Sequence, residues 1–143
     1  MRDDLVARVR ERATRNAFWR FLGIEVIDAK EGWTRLRLPV RDELRNAPGA
    51  PVHGGVYCAL VDAAVGSALS TMLAAAPAGA MGQTTLDLNV SFIAAASGDD
   101  LFAEGRILRR GRTIAFGEAK ISDGAGKLVA VGRATYMLLQ PKP

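Results

Sequence analysis

Apolar residues near the start of the chain recur every three or four positions, which is the spacing of one helix face. Within residues 3–21 they are separated by Arg and Glu and comprise Leu5, Val6, Val9, Ala13, Ala17 and Phe21. This pattern predicts an amphipathic N-terminal helix that lies against a larger body. The next segments, "GIEVIDAK" and "WTRLRLPV", read as two strands, the second with the two-residue period of a half-buried strand. We expect them to form a hairpin that turns at Glu31-Gly32.

A loop-like segment, "RDELRNAPGAPV", leads into the most apolar stretch of the chain. Residues 55–76 contain one charged side chain, Asp62, and are followed by Pro77 and Gly79, which predicts a long helix that is apolar on every side. Four more strands follow: "TTLDLNVSFIA", "LFAEGRILR", "TIAFGEAKISD" and "KLVAVGRATYMLL". In the first of them, Leu86, Leu88, Val90 and Phe92 alternate with polar residues. The last two are expected to be joined by the turn "DGAGK".

This order of elements predicts an α+β fold. Strands joined by short turns favour an antiparallel sheet, and a helix that is apolar on every side must be enclosed by it. We therefore expect a single domain over residues 1–143. In it, a curved antiparallel sheet of about six strands wraps a long central helix, and the amphipathic helix lies at the N-terminus.

Composition narrows the classes of partner. Hydrophobic residues make up 49% of the chain and charged residues 24%, which is ordinary for a folded domain. The net charge of +4 suits an anionic ligand such as a nucleotide, but the arginines are scattered, so nucleic-acid binding is not expected. One Cys and one His cannot build a four-ligand zinc site. Asp62 and the many small residues argue against a membrane span, and the charged N-terminus is unlike a signal peptide, so we expect a cytoplasmic protein.

The start of the apolar helix carries the candidate chemistry. The first amides of a helix have no partner within it and lie at the positive end of its dipole, so the Gly54 amide could hold a carbonyl oxygen that gains negative charge. A glycine pair at a helix start is also a common structural device. Asp62 lies eight residues later, about 12 Å along the axis, so one chain cannot easily bring both groups to one small substrate group. Two chains related by a two-fold axis can, which predicts a site shared across a dimer.

Each other candidate also has a structural interpretation. Asp62 could be catalytic, or a structural acid held by Thr84, Thr85 or a backbone amide. His53 and Cys58 could form a base and nucleophile pair. They are five positions apart across a helix start and are expected to point in different directions, so we interpret Cys58 as a core residue instead.

A basic turn and several aromatic residues complete the candidates. Arg109, Arg110 and Arg112 surround Gly111 and could hold the phosphates of a nucleotide-bearing ligand, or form a solvated surface turn. Residues that could line a ligand pocket or equally belong to the core are Phe18, Trp19, Tyr57 and Met81.

The segment "NAPGAPVHGGVYCALVDAAVGSAL" resembles the hotdog-fold acyl-CoA thioesterases of the phenylacetate-degradation (PaaI) type. In that family an Asn-containing loop leads into His-Gly-Gly, and the helix that follows carries an Asp or Glu. The resemblance continues through the later strands and covers residues 18–139. It implies the hotdog fold, in which one helix is enclosed by a curved antiparallel sheet, and hydrolysis of an acyl-CoA thioester.

The resemblance also implies roles for individual residues. The Gly54 amide would polarise the thioester carbonyl, and Asp62 of the opposing subunit would act as nucleophile or as general base on water. Asn46 and His53 would lie beside Gly54, with His53 orienting the loop or the thioester rather than transferring protons. Thr85 matches a hydroxyl that positions the attacking water in some relatives. The loop between Asn46 and His53 is one residue longer than in many relatives, with an extra proline, which leaves open whether Asn46 reaches the site.

For the substrate and assembly, the resemblance implies an acyl-CoA whose phosphates would contact Arg109, Arg110 and Arg112. No metal and no separate cofactor are implied, because coenzyme A is part of the substrate. A homodimer at least, and a homotetramer made from two dimers, are expected. The small helix residues Ala63, Ala64, Gly66 and Ala68 would leave room for an aryl or medium-chain acyl group. Two alternatives stay open: a hydroxyacyl-CoA dehydratase, and a non-catalytic acyl-CoA-binding protein of the same fold.

Overall fold

The computed structural model describes residues 2–73 and 82–139. Their helices are α1 (Arg2–Arg15), α2 (Ala17–Leu22) and α3 (Gly54–Met72), with a short 3₁₀ turn at Asp42–Leu44. The strands are β1 (Glu25–Lys30), β2 (Trp33–Pro39), β3 (Gly82–Phe92), β4 (Asp100–Arg110), β5 (Ile114–Asp123) and β6 (Leu128–Leu139). The strands form one antiparallel sheet in the order β1-β2-β4-β5-β6-β3. This arrangement confirms the predicted α+β architecture and its six strands.

The N-terminal helix is present, but it is interrupted where the sequence predicted one helix over residues 3–21. Asn16 adopts an extended backbone (φ −86°, ψ 108°), and its side chain accepts a hydrogen bond from the Trp19 N–H at 3.1 Å. It therefore caps a second helix, α2. Val9 is buried as predicted, but the change of direction leaves Phe21 67% exposed. The apolar residues keep their helical spacing on both sides of Asn16, so the periodicity alone did not reveal the interruption.

The hairpin of β1 and β2 turns at Glu31-Gly32, as predicted. Lys30 pairs with Trp33 across the turn, and Gly32 adopts a positive φ of 74°, which glycine accommodates without strain. The predicted turn between β5 and β6 is also present. There the buried carboxylate of Asp123 accepts backbone hydrogen bonds from Ala125 and Lys127 within the turn and from Ser97 of a neighbouring loop.

Helix α3 lies against the concave face of the sheet and forms the centre of the core. Its buried side chains include Leu60, Val61, Val65 and Leu69. By length and composition α3 could cross a membrane, but 72% of that stretch is buried inside the fold, as is usual for a core helix. The predicted end of this helix at Pro77 and Gly79 lies outside the described residues.

Glycines in the sheet let α3 approach closely. A Cβ atom at Gly105 on β4 would lie 2.2 Å from the backbone oxygen of Ala64, and one at Gly117 on β5 would lie 2.4 Å from Val65 Cγ1. Both distances are shorter than any van der Waals contact. The sheet therefore packs directly against the α3 backbone at Gly105 and against the Val65 side chain at Gly117, which fixes the depth at which the helix is seated.

Strand β3 forms one edge of the sheet that the described residues build, and it is exposed along both faces. Its apolar residues alternate as predicted, yet Leu86 is 51% exposed and Phe92 is 58% exposed. Only Val90 of this apolar set is packed against the core. An edge strand with free backbone groups and exposed apolar side chains is suited to pairing with another chain.

Candidate active site

Asp62 occupies the middle of α3, where its carboxylate is half-buried and held by two hydroxyl groups. Its Oδ1 accepts a hydrogen bond from Thr85 Oγ1 at 2.7 Å and another from the Tyr136 hydroxyl at 2.6 Å. The Tyr136 oxygen also lies 2.8 Å from the backbone oxygen of Asp62. Across residues 2–73 and 82–139, no donor reaches Oδ2. Asp62 is therefore satisfied on one oxygen by neutral donors and open on the other.

Tyr136 was missed by sequence reasoning, although it contacts the central acid. It pairs with Thr85 across the β6–β3 ladder, so both side chains project from the same face of the sheet toward α3. Burial, followed by the hydrogen bond to Asp62, holds the pKa of the Tyr136 hydroxyl well above its ordinary value. It therefore stays protonated and donates. The two-residue period of "KLVAVGRATYMLL" marks Tyr136 as an inward position, but the strand register that places it beside Asp62 is not readable from one sequence.

The N-terminus of α3 presents one backbone donor that the fold leaves unused. His53 is the N-cap: its Nδ1 accepts a hydrogen bond from the Gly55 N–H at 2.8 Å, and its backbone oxygen accepts one from Val56 at 2.9 Å. Within the described part of the chain, the Gly54 N–H donates to no acceptor. It lies at the positive end of the helix dipole, so it is a ready donor for an external oxygen.

The structure keeps Gly54 and Asp62 apart. Both belong to the continuous helix α3, so eight residues correspond to about 12 Å along its axis. This agrees with the separation expected from the sequence. A carbonyl group held by Gly54 is therefore out of reach of Asp62 of the same chain.

The loop that precedes α3 is pinned at its base. The His53 N–H donates to the Leu44 oxygen at 2.9 Å, and the Asn46 N–H donates to the Pro51 oxygen at 3.0 Å. Arg45 and Val52 form an isolated bridge between these bonds. The Asn46 side chain is exposed, and among the described residues it makes no hydrogen bond to His53 or Gly54. The structure of the single chain therefore does not bring Asn46 into the site.

The three arginines of the basic turn are all exposed and, within the described ranges, form no ion pair. The turn lies at the same end of the sheet as the acid site, because the paired residues Arg110, Ala115, Tyr136 and Thr85 follow one row across four strands. Three strand spacings separate the ends of that row, roughly 14 Å.

A cleft of about 360 Å³ opens beside Asp62. One wall is the N-terminal helical segment, with Val9, Ala13 and Trp19, and the opposite wall is α3, from Asp62 to Ser70. Its floor is the start of β3 together with Tyr136. Of the four small α3 residues expected to leave room for an acyl group, Ala63 and Gly66 line the cleft, whereas Ala64 and Ala68 are fully buried and do not.

The aromatic residues considered as pocket lining separate into different groups. Trp19 lines the cleft, Phe18 is exposed, and Tyr57 is buried against Phe92 with ring centroids 6.1 Å apart. Met81 lies outside the described residues. Cys58, expected in the core, is instead half-buried on α3 and lies outside the core cluster, and its thiol forms no hydrogen bond with the described residues. The described residues contain no group of three or more His, Cys, Asp or Glu side chains that could hold a metal ion.

Comparison with known proteins decides the family, because the thioesterase superfamily matches residues 51–130. This chain belongs to the thioesterase superfamily. Human acyl-coenzyme A thioesterase 13 is 35% identical to it over 85% of this chain and 84% of the human protein. A candidate esterase of Halobacterium salinarum is 34% identical over 96% of this chain and 95% of its own length. The crystal structure of a thioesterase superfamily protein superposes with a TM-score of 0.85 at 32% identity, covering 94% of this chain and 98% of that one.

Membership confirms the prediction of a thioester-hydrolysing enzyme with the hotdog fold. The match spans the end of the pinned loop, all of α3, β3, β4 and β5, and the first part of β6. The more specific assignment to the PaaI type stays a prediction of the sequence resemblance.

Proposed function

We propose that this thioesterase hydrolyses the thioester bond of aryl- or medium-chain acyl-CoA, with Asp62 as its catalytic carboxylate. The observation that supports this most directly is the state of Asp62: Oδ1 is held by two hydroxyls, Oδ2 is free, and a cleft opens beside it. A half-buried carboxylate with one unengaged oxygen at a cleft is suited to attack a carbonyl carbon or to take a proton from water.

Two routes use this carboxylate. As general base, Asp62 takes a proton from a water molecule while the water oxygen adds to the thioester carbonyl carbon. The tetrahedral intermediate then breaks its C–S bond, and the sulfur leaves with a proton as the coenzyme A thiol. As nucleophile, Oδ2 itself adds to the carbon and expels the thiolate, and water then hydrolyses the mixed anhydride. In either route a backbone amide must hold the carbonyl oxygen as it gains negative charge.

We assign that amide to Gly54 of a second chain. Gly54 and Asp62 are about 12 Å apart along the helix axis, at about 1.5 Å per residue. This distance prevents one chain from supplying both groups. The exposed edge strand β3 supports a two-fold pairing that brings Asp62 of one subunit near Gly54 of its partner. Assembly of two such dimers into a tetramer, and a cytoplasmic location, are further proposals from the resemblance.

In this arrangement the cleft beside Asp62 receives the acyl group. It follows α3 from Asp62 to Ser70, which are eight residues and about 12 Å apart, long enough for an aryl group or a medium alkyl chain. The related acyl-coenzyme A thioesterase 13 supports coenzyme A as the thiol half. Arg109, Arg110 and Arg112 are the proposed contacts for its phosphates, because they are exposed, cationic and at the same end of the sheet.

The decisive experiment measures free thiol release from a panel of aryl- and alkyl-CoA thioesters by wild type and by Asp62→Asn. The variant should lose at least about 100-fold in kcat, since it keeps the shape but cannot act as base or nucleophile. Glu104→Gln is the matched control: it makes the same acid-to-amide change on the outer face of β4 and should keep full activity. Unchanged kcat in Asp62→Asn would overturn the proposed mechanism.

Two additions to this panel, a titration of acyl-CoA binding and an enoyl-CoA substrate, separate the two alternatives. Tight binding of acyl-CoA without thiol release by the wild type would indicate a non-catalytic binding protein. Hydration of the enoyl-CoA, measured as a loss of its absorbance without release of free thiol, would indicate a dehydratase.

A further inference from the structure

The roles assigned so far leave one contact of the central acid unused, the hydrogen bond from the Tyr136 hydroxyl to Asp62. We infer that Tyr136 is a positioning residue: together with Thr85 it fixes Oδ1 of Asp62, so that Oδ2 is the oxygen that acts. This inference rests on the proposed role of Asp62. It adds that the catalytic carboxylate is held in one rotamer by a tyrosine from the last strand of the same chain.

The contacts of the Tyr136 hydroxyl support this assignment. It lies 2.6 Å from Oδ1 and 2.8 Å from the backbone oxygen of the same residue, so it contacts both the side chain and the main chain of Asp62. Thr85 donates to the same Oδ1 at 2.7 Å. Both donors hold the carboxylate through the same oxygen, so Oδ1 is fixed while Oδ2 stays free of contacts with the described residues. Hydrogen bonds to charged groups are among the stronger ones in proteins.

Tyr136 is itself firmly placed. It is almost fully buried, its strand pairs with β3 on one side and β5 on the other, and its hydroxyl stays protonated because burial raises its pKa. A neutral donor of this kind does not compete with Asp62 as a base. Its chemical contribution is therefore to orient the carboxylate.

Gly66 provides the space for this contact. It lies four residues after Asp62, one turn further along the same face of α3. A Cβ atom at position 66 would be 2.6 Å from the Tyr136 hydroxyl oxygen and 3.1 Å from its Cζ. Any larger side chain there must displace the hydroxyl. On the helix, Asp62 therefore accepts the hydrogen bond from Tyr136, and Gly66 leaves the space that the hydroxyl occupies.

Tyr136→Phe tests the inference, because it removes only the hydroxyl. We expect kcat to fall by about 10- to 100-fold, the worth of a hydrogen bond to a charged group, while KM stays within about twofold. The matched control is Thr34→Val, which removes another buried hydroxyl that bonds α3, at Ala64 and Ser67, without contact to Asp62. Thr34→Val should lower the melting temperature but keep kcat.

A second variant tests the same contact from the helix. Gly66→Ala should lower kcat as Tyr136→Phe does, and the double variant should lose less than the product of the two single effects, because both remove one contact. If Tyr136→Phe does not fold, Gly66→Ala alone carries the test.

Wild-type kcat in Tyr136→Phe, together with an inactive Asp62→Asn, would overturn the positioning role and leave the proposed function intact. Full activity of Asp62→Asn would overturn the proposed function itself. A fall in kcat matched by an equal rise in KM and a lower melting temperature would show a purely structural role and also overturn the inference.

Discussion

The Nδ1 atom of His53 accepts a hydrogen bond of 2.8 Å from the Gly55 N–H. An imidazole nitrogen that accepts carries no proton, so in this arrangement the ring proton lies on Nε2. The side chain therefore acts as the N-cap of α3 and orients the amides of the helix start. This contact favours an orienting role for the one histidine of the chain over a role in proton transfer.

Two substitutions at His53 separate these roles. Asn can accept the same cap hydrogen bond, whereas Ala cannot, so His53→Ala should lower the free energy of unfolding by about 1 kcal/mol and His53→Asn by less. If orientation is what matters, His53→Asn should also keep most of kcat. Chemical denaturation and steady-state kinetics measure both quantities. An Asn variant that is fully stable but as inactive as the Ala variant would show that the imidazole itself takes part in the chemistry.

The Gly54 N–H can be removed without removing the helix. Proline is tolerated at the first position of a helix, and the backbone of His53 (φ −61°, ψ 136°) is compatible with a following proline. Gly54→Pro should lower kcat by about 100- to 1000-fold if this amide holds the oxyanion. Gly54→Ala is the control, because it keeps the amide and introduces the same Cβ, 3.3 Å from the Phe92 ring. Equal activity of the two variants would argue against the oxyanion role.

Much of the fold follows from hydrophobic patterning. Residues 55–76 are apolar on every side, and only an enclosing sheet can bury such a helix, so the central packing was predictable. The break at Asn16 was not, because the apolar spacing of α1 continues into α2 and a single polar residue decides where the helix changes direction. The exposure of Leu86 and Phe92 was also hidden, since alternation predicts a strand but not its place at a sheet edge.

The candidate site also has features that the sequence predicts and features that depend on the tertiary fold. Gly54 and Asp62 lie within one helix, so their separation could be predicted from the helical rise alone. Tyr136 and Gly66 meet through a pairing of β6 with α3 across 70 residues of chain, and no local pattern encodes that register. Arg110 likewise shares a row with Thr85 only through the pairing of four strands.

The close approach of the sheet to α3 predicts a severe effect at Gly105. A Cβ atom there would lie 2.2 Å from the Ala64 backbone oxygen, so Gly105→Ala must move backbone, and we expect a loss of about 3 kcal/mol or more in the free energy of unfolding. Gly124→Ala is the control, because its Cβ would meet no atom closer than 4.0 Å and should change stability by less than about 0.5 kcal/mol. Urea denaturation of both variants measures the difference. A small effect at Gly105 would contradict the backbone-to-backbone packing described for α3.

The basic turn predicts a dependence on the coenzyme A phosphates. Replacing Arg109, Arg110 and Arg112 together by Gln removes three exposed cationic contacts of about 0.5 kcal/mol each, which corresponds to roughly a tenfold rise in KM. The rise should shrink as salt is added, because exposed charges are screened. A pantetheine thioester with the same acyl group lacks the nucleotide phosphates and is the control substrate. An equal rise in KM for both substrates would exclude phosphate recognition by this turn.

The proposed sharing of the site between subunits predicts that two inactive variants restore each other. In a dimer of one Gly54→Pro chain and one Asp62→Asn chain, one site carries both defects, but the other combines an intact Gly54 with an intact Asp62 from opposite chains. Random pairing of equal amounts should then recover about a quarter of wild-type activity, since half of the dimers are mixed and half of their sites are complete. Chains with different affinity tags, co-expressed and purified through both tags, should reach about half. Pairing Asp62→Asn with a chain that carries both substitutions is the control, because every site then lacks the carboxylate and should stay inactive. Mixed dimers as inactive as this control would contradict the shared site, and a monomer by analytical ultracentrifugation would exclude it.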